Sequence, residues 1–158
     1  MSVLSLVTKI DSGAMGVAIR GSYWLFPFIE AFHLLALCVI GGAVLVVDMR
    51  MLGVGLRDHP VAEIARDARP FLLGSLAVML ISGYLLFTSE AVKCYNNPAF
   101  WFKMGCLLAA MLFTFTVQHK AIEREQGQGA SLSGKLTAVV SLLLWTGVGI
   151  GGRWIGFS

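Results

Sequence analysis

Glu30, His33, Lys103, His119 and Arg153 stand within or at the ends of long apolar runs, and Asp48 and Arg50 mark the point where the first run ends. An ionisable group held in hydrocarbon is costly, so each of these residues asks for a partner or a task. Glu30 and His33 are three positions apart and lie about 60° from each other around a helix, while Leu37, Gly41, Val44 and Asp48 fall within about 80° of His33. One stripe therefore carries a carboxylate, an imidazole, a glycine and a second carboxylate. Two kinds of chemistry suit it. The polar groups can face a bundle interior and satisfy one another, or the imidazole can be an axial ligand of haem iron, with small residues such as Gly41 accepting the macrocycle.

Depth sharpens the second reading. At 1.5 Å per residue, His33 lies about 14 Å below the start of its run, and Lys103 and Arg153 within roughly 5 to 8 Å of the same surface. Two cations above one imidazole suit a b haem whose propionates point outward, so His33, Lys103, Arg153, Glu30 and Gly41 form the expected cofactor site. The second axial ligand stays open. His119 lies about 30 Å down, so pairing it with His33 as a metal ligand requires the helices to shift by on the order of 10 Å. Met79 and Met111 are the alternatives by depth. His119 can instead join Asp48 and Arg50 in a polar cluster suited to a quinone headgroup or a proton path, and the same residues are equally well explained as interfacial groups reaching water.

These residues need long helices to hold them. The chain has 158 residues, of which 57% are hydrophobic and 13% charged, with a mean hydropathy of +0.79. That composition points to a lipid bilayer and excludes a large soluble catalytic domain. Spans are expected at about 22–50, 70–89, 98–119 and 135–156, preceded by an amphipathic surface helix at about 2–18 that bends at Gly13 to Gly16. The expected architecture is an all-α four-helix transmembrane bundle forming a single integral membrane domain. Pro70 suits the first turn of the second helix, Asn96-Asn97-Pro98 signals the start of the third, and the Gly-, Gln- and Ser-rich stretch from Glu123 to Gly134 reads as a loop.

Charge sets an orientation. Arg50, Arg57, Arg66, Arg69, Lys120, Arg124 and Lys135 gather at one side, against Lys9, Arg20, Lys93, Lys103 and Arg153 on the side where Tyr23, Trp24, Tyr84, Tyr95, Trp101 and Trp154 cluster. The positive-inside rule then places both termini outside the cytoplasm. A net charge of +3 spread over several connections gives no basic face for nucleic acid. His59 reads as an exposed loop residue. Cys38, Cys94 and Cys106 have no CxxC spacing, and no activated nucleophile, phosphate loop or zinc spacing is present, so enzymatic activity stays open.

The stretches WLFPFIEAFHLLALCVIGGAVLVVDMRMLG at Trp24 to Gly53, NPAFWFK at Asn97 to Lys103, His119, and LLLWTGVGIGGRWIGF at Leu142 to Phe157 resemble an uncharacterised family of small four-helix bacterial inner-membrane proteins. The resemblance covers almost the whole chain. One intramembrane histidine, D-x-R at the helix exit, and later Lys and Arg at helix ends are more loosely similar to small b-type cytochromes and the membrane-bound protoporphyrinogen oxidase. That similarity implies His33 as haem ligand, with Lys103 and Arg153 near the porphyrin carboxylates. The leading expectation is a b-haem protein passing electrons between an extracytoplasmic redox partner and the quinone pool. The alternative is a non-catalytic membrane subunit, a homo-oligomer or a small transporter with a buried polar cluster.

Overall fold

In hydrocarbon no water is present to pair with backbone amides, so a spanning segment must satisfy them within itself, and long apolar runs become helices. The computed structural model describes residues 3–56, 58–124 and 131–156, and no strand occurs among them. Four helical segments are long and apolar enough to cross a membrane: Leu25–Leu52, Val61–Ser89, Pro98–Arg124 and Leu132–Ile155. We number the helices α1 (Val3–Asp11), α2 (Ala14–Gly21), α3 (Leu25–Leu52), α4 (Val61–Ser89), α5 (Ala91–Asn96), α6 (Pro98–Phe113), α7 (His119–Arg124) and α8 (Leu132–Ile155). Between α6 and α7 the third span passes through a π-helical turn, Thr114–Gln118.

Local chemistry explains most boundaries. Gly53 adopts φ 80° and closes α3, with its amide donating to the Arg50 carbonyl and that of Val54 to Met49. Asn97 caps α6, its side chain accepting from the Ala99 amide at 2.9 Å with Pro98 in the first turn. Ser131 caps α8 in the same way through Gly134. Pro70 is different. The second helix does not begin there but at Val61, leaving Pro70 inside α4. A charged amphipathic segment, Val61 to Arg69, extends the helix before the apolar run, and Pro70 supplies no amide to the Arg66 carbonyl one turn back. Of the expected loop from Glu123 to Gly134, residues 125–130 lie outside the described residues.

α3 packs along both α4 and α8, and α8 packs along α6. Lipid is as apolar as leucine, so close van der Waals packing over small residues holds such helices together. Ala36 and Ala110 are buried in the company of Ile40, Val44, Met79 and Val148, and Ala138 in a second cluster with Val47, Met51 and Val61. A Cβ on Gly147 would come within 3.0 Å of Cys106 Sγ, and one on Gly151 within 3.0 Å of Lys103 Cβ. These two glycines, four apart, let α8 approach α6. Leu34, Leu35, Ile81, Leu108, Leu112 and Leu143 point outward, as lipid-facing side chains should.

The amphipathic N-terminal segment is two helices, broken at Ser12 and Gly13, and it docks on the bundle. Arg20 forms an ion pair with Asp11 at 3.2 Å and donates to the Asp11 and Ser89 carbonyl oxygens. Asp11 in turn accepts from the Val92 amide at 3.3 Å. Gly16 is pressed against the Thr88 carbonyl so closely that an added Cβ would overlap it. Gly16→Val should therefore undock α1 and α2, costing about 1–3 kcal/mol. The measurement is the thermal midpoint of the solubilised protein together with protease sensitivity near residue 12, against an expected null result for Gly21→Val, where a Cβ meets nothing within 4 Å.

Candidate functional site

The buried stripe of α3 runs His33, Ala36, Ile40, Val44, Val47, Asp48 and Met51. Two of these seven are ionisable, and each lies near one end of the bundle. Around His33 all four spans converge. Its Nδ1 lies 2.9 Å from Ser82 Oγ of α4, and its Nε2 lies 3.2 Å from Lys103 Nζ of α6. A Cβ on Gly83 would sit 3.2 Å from the ring carbon Cε1, and the aliphatic part of Lys103 runs across Gly151 and Gly152 of α8. Ring and lysine are thus held between glycine surfaces on α4 and α8.

The hydrogen bonds have a direction. Ser82 donates its hydroxyl proton to the Val78 carbonyl at 2.7 Å, so its oxygen accepts from His33 Nδ1–H. These contacts suit a neutral imidazole with its proton on Nδ1, whose Nε2 lone pair accepts from Lys103. Among the described residues no carboxylate lies within 4 Å of Lys103 Nζ. The lysine relies on a neutral base where an ion pair would be the common solution.

The sequence-derived residues distribute unevenly. His33 and Lys103 meet. Arg153 lies at the same end, exposed, one residue beyond Gly152, and Glu30 is exposed on the outer side of α3. Gly41 faces open space, with nothing within 4 Å of an added Cβ. His119 stands at the far end, exposed and 3.5 Å from Glu123, and does not approach His33. Met79 is buried one turn before Ser82, and Met111 packs against the same core. Ser82 escaped the sequence reading, although a serine beside a glycine at the depth of His33 was the available signal.

The far end also needs correction. Asp48 does not reach water but is fully buried, and its partner is Gln118, whose Nε2 donates to Asp48 Oδ1 at 2.7 Å. Neither His119 nor Arg50 joins it, since Arg50 Nε donates to the His59 carbonyl at 2.7 Å. The π-turn is the cause. Counted as α-helix from buried Ala110, Val117 would point about 20° from the interior and Gln118 about 80° away. The wide turn absorbs one residue, so Gln118 takes the inward place and Val117 faces out. Beside Gln118, a cleft of about 100 Å³ opens between α3, α4 and the third span, with Arg69 and His119 in its wall. His59 is exposed and lies 3.8 Å from Glu63, and the three cysteines are free thiols. No cluster of three or more His, Cys, Asp or Glu side chains able to hold a metal ion occurs among the described residues.

Fold and site together define a multi-pass helical membrane protein in which a half-buried lysine meets a buried imidazole near one end of the bundle. The chain belongs to a family of unknown function, DUF6644, whose family model matches residues 9–158. No curated protein and no solved structure matches it.

If Ser82 fixes the ring, Ser82→Ala should remove the side-chain acceptor of His33 Nδ1–H, leaving only the Met79 carbonyl beside it, and lower stability by about 1 kcal/mol. Ser75 binds only carbonyls of its own helix, so Ser75→Ala is the near-neutral control. Thermal midpoints of the two variants in detergent make the comparison, and equal midpoints would count against the assignment.

Proposed function

We propose that the protein is a non-catalytic membrane subunit or small transporter in which Lys103 and His33 hold an exchangeable proton inside the hydrocarbon layer. The observation that carries this reading is the contact of Lys103 Nζ with His33 Nε2, with no carboxylate beside the lysine among the described residues. The two bases compete for one proton. When Lys103 gives it up, Nε2 receives it and the ring becomes an imidazolium still bound to Ser82. The test is proton uptake into proteoliposomes under an imposed membrane potential. Uptake at least about tenfold slower with Lys103→Met and with His33→Ala is expected, and wild-type flux no greater than that of empty vesicles overturns the reading.

A second reading draws on the Ser82 bond. A histidine whose Nδ1–H is tied to a protein acceptor presents Nε2 as a ligand atom, as metal-bound histidines do. In this arrangement both ring nitrogens are engaged, so His33 can ligate a b haem only when Lys103 withdraws, with Lys103 and Arg153 left to meet the propionates. Bound haem would supply one-electron chemistry, with an extracytoplasmic redox protein and membrane quinone as partners. Oxidised and reduced visible spectra of the purified protein separate the two. A Soret band present in the wild type and lost in His33→Ala selects the haem reading.

We also propose a bacterial inner-membrane location with both termini outside the cytoplasm, supported by the basic residues at the Asp48 end and the exposed aromatics at the His33 end. Cys94 in α5 reports on this. In a Cys38→Ala/Cys106→Ala background, a membrane-impermeant maleimide should label Cys94 in intact cells. Burial, reinforced by Glu90, raises its thiol pKa, so labelling at neutral pH should be slower than that of free cysteine and should accelerate as pH rises. Labelling only after permeabilisation would reverse the orientation.

A further inference from the structure

Asp48 lies about 22 Å along α3 from His33, in a group that the proton reading does not use. Asp48, Gln118 and Ser141 are 0%, 3% and 1% exposed. The Gln118 amide reaches one carboxylate oxygen, but Asp48 Oδ2, Gln118 Oε1 and Ser141 Oγ have no hydrogen-bond partner among the described residues. The Ser141 hydroxyl lies beside the Asp48 carboxylate, close enough to act on it as a hydrogen-bond donor although the geometry is not that of a regular hydrogen bond. An unpaired buried oxygen is costly by itself, and here three of them from three different spans occur together.

Carboxylate and amide carbonyl oxygens are acceptors only, and the serine oxygen keeps lone pairs to offer besides its single proton, a set suited to a hard cation. One carboxylate supplies one negative charge, so a monovalent ion leaves the cluster neutral, whereas a divalent ion would leave a positive charge in a medium that penalises it. Arg50 donates to the His59 carbonyl, and Arg69 stands in the wall of the cleft that reaches Gln118. The π-turn fits the same picture. Such turns are uncommon, and this one has the specific effect of turning Gln118 inward onto Asp48.

We propose that Asp48 Oδ2, Gln118 Oε1 and Ser141 Oγ form an alkali-cation site, with sodium as its ion, reached through the cleft beside Gln118. The proposal does not depend on the Lys103–His33 reading.

The test is the thermal midpoint of the full-length, detergent-solubilised protein at pH 8 in NaCl, KCl or choline chloride of equal ionic strength. A midpoint higher by about 3 °C or more in NaCl than in choline chloride, saturating with concentration, is expected for a ligand present at many times its dissociation constant. Asp48→Asn should abolish the difference. Ser141→Ala removes one neutral ligand and keeps the charge, so it should raise the half-saturating concentration at least about fivefold even if Asp48→Asn does not fold. Equal midpoints in NaCl and choline chloride overturn the proposal and leave a proton or water as the partner of these oxygens. So does an undiminished sodium response in Ser141→Ala. A rise in KCl that matches or exceeds that in NaCl overturns the assignment to sodium.

Discussion

A half-buried lysine with no carboxylate beside it among the described residues depends on whatever lone pair the fold can bring to it. Here that lone pair is Nε2 of His33, and it is available only because Ser82 holds the proton-bearing nitrogen on the other side of the ring. Each participant comes from a different span, so the contact requires α3, α4 and α6 to be in register. α8 takes part by what it lacks: Gly151 has no Cβ, and the Lys103 backbone can settle against it. The His33 end of the bundle is in this sense organised around one hydrogen-bonded chain.

The two buried polar centres differ in kind. At the His33 end, donors and acceptors alternate and the chain ends on the Val78 carbonyl. At the Asp48 end, three buried oxygens have no regular hydrogen-bond partner among the described residues. Between them lie Ala36, Ile40 and Val44 on α3 with Met79, Leu107 and Val148 from its neighbours, an apolar plug that isolates one centre from the other. Electrostatic coupling across that distance would have to pass through helix movement, because no polar side chain on the buried face of α3 bridges the gap.

The sequence carried the architecture because span length, hydropathy and caps are local signals. The Asn97-Pro98 start of α6 and the four spans follow from them directly. Depth counting set Lys103 above His33 at the same end of the bundle, as a partner for haem carboxylates, and the direct contact with the ring comes from the downward reach of the lysine side chain. Pairing farther along failed for a physical reason. Rotation accumulates faster than rise, and one extra residue in a turn changes which side chain faces inward, so Gln118 rather than His119 meets Asp48. Pro70 misled in a related way, because a proline tolerated inside a helix has the same sequence appearance as one that begins it. Ser82 stayed unseen because a serine in an apolar run is commonly bound to its own helix, as Ser75 is.

The π-turn has a consequence for how this chain can vary. A wide turn of this kind is what a single inserted residue leaves when the helix on either side stays in place. Upstream of it, α6 keeps its facing toward α8. Downstream, the exit of the third span is rotated by about 100° from where an unbroken α-helix would leave it. Loss of one residue from Thr114 to Gln118 would restore the regular winding and turn the whole of α7 while leaving Lys103 undisturbed. The two ends of the third span are therefore free to diverge independently, so relatives of this protein could share the imidazole–lysine contact and differ in whatever occupies the opposite end.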